Sequence, residues 1–168
     1  YLPLKKGTVS GHGTATYYPQ AWAFALADAR ADGAVVQNNS WGVDEQYNSS
    51  TSYSTSSLAT MWTNSGLSAS AGSVTSYIDG LNNFQSDSGV IVYALSNTNS
   101  YTDADVQAAL PEMFSQLQEA WITAVNVDIT GSSGSESYSR KSAPCGATAK
   151  YCIGADGWNI NGAAYHSG

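Results

Sequence analysis

One alternation constrains this chain more than any other feature: stretches with helical periodicity give way to short apolar runs that stop abruptly in polar turns. Residues 15–31 are rich in alanine, carry Trp22, Phe24 and Leu26, and contain no breaker beyond Pro19 in the first turns. They predict a helix that is apolar around much of its circumference and therefore buried. Gly33 ends it, residues 34–38 read as a short buried strand, and the polar NNSWG follows. Val74, Tyr77, Ile78, Leu81 and Phe84 then fall at helical spacing, giving an amphipathic helix that ends near SDSG. GVIVYAL is a second buried strand, closing in the turn SNTNS, and a shorter helical pattern at Leu110, Phe114 and Leu117 leads into WITAVNVD, a third. Strands alternating with helices predict an α/β fold with a mostly parallel sheet covered on both faces. The polar, low-complexity YNSSTSYSTSSL at 47–58 reads as a surface loop. No repeat or linker suggests a domain boundary within residues 1–168.

Composition narrows the partners. Charged residues make up 11%, against roughly 25% in ordinary soluble domains, and Ser, Thr and Asn fill the polar quota, as is common in secreted proteins. The net charge of −7, uninterrupted by any basic stripe, disfavours nucleic acid and anionic membranes. No apolar stretch is long enough to span a membrane. The chain opens YLPLKK, with no signal peptide in view and no initiator methionine, which leaves open a leader that was removed or not included. Its two cysteines, Cys145 and Cys152, lie in SAPCGATAKYCIG, and its only histidines are His12 and His166. A four-ligand zinc site is hard to assemble from these. A local Cys145–Cys152 disulfide is favoured over two free buried thiols, and it would imply an oxidising compartment.

In open α/β sheets, chemistry collects beyond the carboxyl ends of the strands. Here those ends carry Asn38, Asn39, Ser40, Trp41 and Gly42 after one strand, and Ser96 and Asn97 after another. Taken singly, each reads as a turn former. His12 changes the balance: it sits between glycines in SGHGT, which deny it packing neighbours and suit a working side chain. A neutral histidine is the commonest general base in hydrolysis, and an asparagine amide is a ready donor to a developing oxyanion. A place near the start of the following helix would disfavour imidazolium and keep the base available. Only a nucleophile is missing.

GHGT at 11–14, NNSWG at 38–42, GVIVYALSN at 89–97, WITAVNVD at 121–128 and CGATAKYCIGADG at 145–157 stand in the order and rough spacing of subtilisin-like serine peptidases. The last stretch, with YSRKSAPCG, is most similar to the subtilase passenger domains of bacterial autotransporters. Each motif alone is weak, but five in register across nearly the whole chain make a resemblance.

That resemblance implies a three-layer subtilisin-like fold, incomplete at both ends, in a monomeric serine endopeptidase that is secreted or on the bacterial surface. Its parent would carry a C-terminal outer-membrane barrel if the autotransporter likeness holds. His12 matches the triad histidine and Asn97 the side-chain donor of the oxyanion hole. Ser40, Trp41 and Gly42 match the edge segment that pairs with substrate backbone and walls the first specificity pocket, with Ala94, Leu95, Ser96 and Asn97 as the other wall. Pairing along an edge implies a polypeptide substrate. No cofactor or metal is implied at the site, and a structural calcium would need loop carboxylates whose geometry the sequence does not fix. Three positions depart from the family: Ala15 replaces a second histidine, Ser96 a glycine, and Asp156 a proline. None of residues 1–11 is Asp or Glu, and the chain stops at YHSG, where Gly168 matches the glycine opening the nucleophile motif. The triad aspartate and serine are thus expected outside these residues, and the chain alone is expected to be inactive.

Two other readings stay open. A non-catalytic subtilase-like module could use the same groove to hold a peptide, although it would need neither His12 nor Asn97. A carbohydrate-binding or adhesin segment rests only on the Ser, Thr, Asn and Trp content. A different triad within the chain is disfavoured, because Asp28 and Asp32 lie too far along the first helix and no GxSxG or GDSGG-like stretch occurs.

Overall fold

A computed structural model describes residues 7–9 and 13–158. The chain begins with an antiparallel pair, β1 (Gly7–Val9) and β2 (Gly13–Ala15), then enters helix α1 (Tyr18–Ala31). Strand β3 (Val36–Asn39), helix α2 (Thr55–Asn64), helix α3 (Ala71–Ser86) and strand β4 (Val90–Ala94) follow. A short helix α4 (Leu110–Met113) and a 3₁₀ turn (Ser115–Leu117) precede the long strand β5 (Trp121–Ser132). A second 3₁₀ segment (Gly146–Tyr151) separates β6 (Ser135–Arg140) from β7 (Cys152–Asp156). Five strands form one sheet, in which β3–β4, β4–β5 and β5–β7 pair in parallel and only β5–β6 is antiparallel. The fold is α/β with a mostly parallel sheet.

The expected elements are present with shifted ends, although β3, expected to be buried, is mostly exposed apart from Asn39. The first helix starts at Tyr18, with Pro19 in its opening turn, because residues 13–15 are taken up by the pairing with β1. It buries only Pro19, Ala21, Trp22 and Leu26, so it is less enclosed than its composition predicts. The stretch read as a surface loop contains the start of α2. Ser54 accepts from the Ser57 backbone N–H at 3.2 Å, while the Ser57 hydroxyl accepts from the Ser54 N–H at 2.8 Å. This reciprocal cap, with serine where glutamate or glutamine is usual, frees Leu58, Ala59 and Trp62 to turn inward. Ser70 and Ser73 repeat the device at the start of α3.

Partners in a parallel ladder project to the same side, so the register sorts the sheet into two faces. Ile91, Tyr93, Trp121 and Thr123 share the face on which the helices gather, and all four are buried. There the Tyr93 and Trp121 rings stack at 5.1 Å, and the Tyr77 and Tyr93 hydroxyls share a buried hydrogen bond. Trp22 of α1 meets Trp62 at 5.4 Å and Tyr77 at 5.2 Å, locking the three helices together. Val36, Val90, Val92, Ala94, Ile122, Ala124 and Ile153 share the other face, which is only half-covered: Val36 is 56% exposed and Ile153 52%. The sheet expected to be covered on both faces is, among the described residues, covered by helices on one. No described helix is long and apolar enough to cross a membrane.

Candidate active site

Because β3 and β4 are parallel neighbours with Asn39 opposite Tyr93, the chain leaves both strands side by side at their carboxyl ends. The two exits enclose a cavity of about 400 Å³. Residues 40–44 form one wall, residues 94–98 the other, and Asp105 completes the lining. The β4 wall is set by the ladder, which runs one residue past the strand through the Leu95 N–H to the Ala124 carbonyl at 3.0 Å. It then breaks: the Ser96 N–H turns to donate to Asp105 Oδ2 at 2.8 Å. The β3 wall is pinned from behind, where Val43 and Tyr47 are buried, the Tyr47 N–H donates to the Ala104 carbonyl at 2.8 Å, and the Val106 N–H donates to the Glu45 carbonyl at 2.9 Å.

Asp44 joins the two walls. Its Oδ1 accepts from the hydroxyls of Ser96 at 2.8 Å, Thr98 at 2.8 Å and Tyr101 at 3.0 Å. The Ser96 and Thr98 hydrogen bonds hold its carboxyl below the usual range against a smaller effect of burial, and Tyr101 adds the least to the lowering. Burial and that same carboxylate push the Tyr101 phenol up to about 12. Asp105 is 3% exposed, and burial raises its pKa, opposed by the N–H groups of Ala108 and Ser96 and assisted by the charge of Asp44. Among the described residues the ion pairs join Arg30 to Asp87, Lys141 to Asp128 and Lys150 to Glu112, and none of these cations reaches Asp44 or Asp105.

Of the residues singled out from sequence, the structure brings Ser40, Trp41, Gly42, Ala94, Leu95, Ser96 and Asn97 around this one cavity. Asn97 is exposed on the wall, and Trp41 is braced against Trp22 at 4.4 Å. His12 lies outside the described residues. Cys145 and Cys152 are joined in a disulfide that brackets the second 3₁₀ segment. Inside it, the Thr148 and Thr123 hydroxyls meet at 3.1 Å and fasten the bridged segment to β5.

Sequence reasoning missed Asp44 and Asp105. Asp44 lies two residues past the NNSWG segment, a signal that was available. Asp105 comes from a stretch with no periodicity to mark it, and only the tertiary pairing of residues 45–47 with 104–106 brings it to the cavity. No family model, curated protein or solved structure matches the chain.

Proposed function

We propose that this chain is part of a secreted or surface serine endopeptidase in which His12 acts as general base and Asn97 as oxyanion donor. The carrying observation is the cavity at the carboxyl ends of β3 and β4, walled by residues 40–44 and 94–98. That is where open α/β sheets collect their chemistry. Residues 40–43 at the β3 exit lie beside the cavity, where a peptide could be held by backbone pairing while one side chain enters the hollow. In this reading His12 takes the proton of a serine nucleophile that attacks the peptide carbonyl. The exposed Asn97 amide, on the cavity wall, donates to the oxygen as it gains charge. Support also comes from the motif order described above, with the acid and the nucleophile contributed by residues beyond these 168.

The test is activity-based labelling. A longer polypeptide that includes the expected aspartate and serine should react with a fluorophosphonate, and His12→Ala should abolish the reaction. The 168-residue chain alone should stay unlabelled. Labelling of this chain, or an unreactive longer polypeptide, overturns the reading and favours a module that holds peptides without cutting them.

A further inference from the structure

Two segments of this chain read Asn-x-Ser with x other than proline: NNS at 38–40 and NSS at 48–50. That tripeptide is the acceptor pattern for a glycan on the asparagine amide, and it is short enough to arise by chance. The fold presents its two copies differently, and the difference separates them.

Asn38 lies inside β3, paired with Val92 in the parallel ladder. The residue after it, Asn39, is 1% exposed, so an enzyme could not surround the tripeptide without opening the end of the sheet. The amide that would be modified is also engaged, because Asn38 Nδ2 donates to Ser40 Oγ at 3.1 Å.

Asn48, Ser49 and Ser50 are all exposed and belong to no helix or strand. Asn48 Oδ1 accepts from the Ser50 N–H at 2.9 Å, and the Thr51 N–H donates to the Asn48 carbonyl at 2.9 Å, closing a tight turn. With that oxygen held to the turn, Nδ2 is directed away from it and meets no acceptor among the described residues. The turn is anchored from behind: the Asn48 N–H donates to the Tyr53 hydroxyl at 3.1 Å, and the Tyr53 ring stacks on the buried Tyr47 at 5.4 Å. A firmly held, protruding asparagine with an unengaged amide is what a glycosyl transferase needs. The Cys145–Cys152 disulfide is consistent with the oxidising compartments in which such glycans are attached.

We propose that Asn48 is an N-glycosylation site and that Asn38, which carries the same pattern, is not. The co-substrate is an oligosaccharide whose first sugar is joined to a lipid diphosphate. Asn48 Nδ2 forms a bond to the anomeric carbon of that sugar. The bond from this carbon to the diphosphate oxygen breaks, its electron pair leaves with the diphosphate, and one amide proton passes to the transferase. The Ser50 hydroxyl is the group the transferase reads, whereas the Ser50 N–H only shapes the turn. The site is independent of the peptidase reading.

The test is mass spectrometry of protein recovered from the cells that naturally make it. The peptide bearing Asn48 should be heavier by an oligosaccharide, peptide-N-glycosidase should strip it and leave aspartate at position 48, and Asn38 should be unmodified. Ser50→Ala removes the hydroxyl and keeps the N–H, so it should abolish the modification, and Ser50→Thr should retain it. In protein made without glycosylation, Ser50→Ala should leave the thermal midpoint unchanged, which assigns the loss to the acceptor and not to the fold. An unmodified Asn48 in the parent protein, a modification that survives Ser50→Ala, or occupancy of Asn38 equal to that of Asn48 would overturn the proposal. The readout is a mass on one residue, so it stands or falls separately from peptide cleavage by the longer polypeptide.

Discussion

The hydroxyl of Ser96 donates to Asp44 Oδ1 at 2.8 Å, across the cavity from one wall to the other. This contact is the leading cause of the lowered Asp44 pKa, so Ser96→Gly should raise that pKa toward the ordinary carboxylate value. A carboxyl whose folded pKa is depressed adds stability above its unfolded pKa and loses it as pH falls through the folded one. The variant should therefore be less stable than the parent at neutral pH, and that part of the difference should vanish in strong acid. A carbonyl-carbon NMR titration of Asp44, with urea unfolding at several pH values, checks both statements. An unchanged Asp44 titration would show that Thr98 and Tyr101 suffice without Ser96.

The buried hydroxyl pair of Tyr77 and Tyr93 ties α3 to β4, and burial raises the pKa of both phenols. Tyr77→Phe strands the Tyr93 hydroxyl at a site that is 0% exposed, which should cost about 1–3 kcal/mol. Removing both hydroxyls should recover part of that loss, because no buried polar group is then left unpaired. Urea denaturation of the two single variants and the double variant gives the cycle. Strictly additive losses would mean that the hydroxyls do not act on each other.

Much of this architecture was legible because its signals are local. The α3 positions Val74, Tyr77, Ile78, Leu81 and Phe84 repeat at helical spacing and are all buried, and the apolar runs of β4 and β5 give no competing periodicity. The start of α2 was hidden because its cap uses Ser57 where a glutamate would have announced it. The β5–β6 hairpin escaped notice because β6, SESYSR, is exposed throughout and has no apolar alternation. At the site, residues 40–42 and 94–97 stood out because they end strands. Asp105 did not, since its place depends on hydrogen bonds between the segments 45–47 and 104–106.

The Cys145–Cys152 bridge closes a short loop at the entrance to β7. A loop of this size contributes on the order of 2–3 kcal/mol through the entropy it removes from the unfolded chain. Reductant, or Cys145→Ser with Cys152→Ser, should lower the thermal midpoint accordingly. Alkylation followed by mass spectrometry should find no reactive thiol before reduction and two after it. Two thiols alkylated without reductant, in protein prepared under oxidising conditions, would count against the bridge and against a secreted location.

Asn97 offers the sharpest test of the proposed chemistry, because its two possible contributions affect different kinetic constants. It follows Ser96, whose N–H is fixed by Asp105, and is exposed on the cavity wall, so it adopts its position without being needed for packing. As an oxyanion donor it would contact the ground-state carbonyl weakly and the tetrahedral oxygen strongly, and only that difference speeds the reaction. In a longer polypeptide active as a peptidase, Asn97→Ala should lower kcat by about 10²–10³ and leave KM nearly unchanged. Asn97→Asp should be at least as harmful, since a carboxylate would repel the developing charge. A raised KM with kcat preserved would make Asn97 a substrate contact. A loss of thermal stability with both constants intact would reduce it to the turn former that its residue type alone suggests.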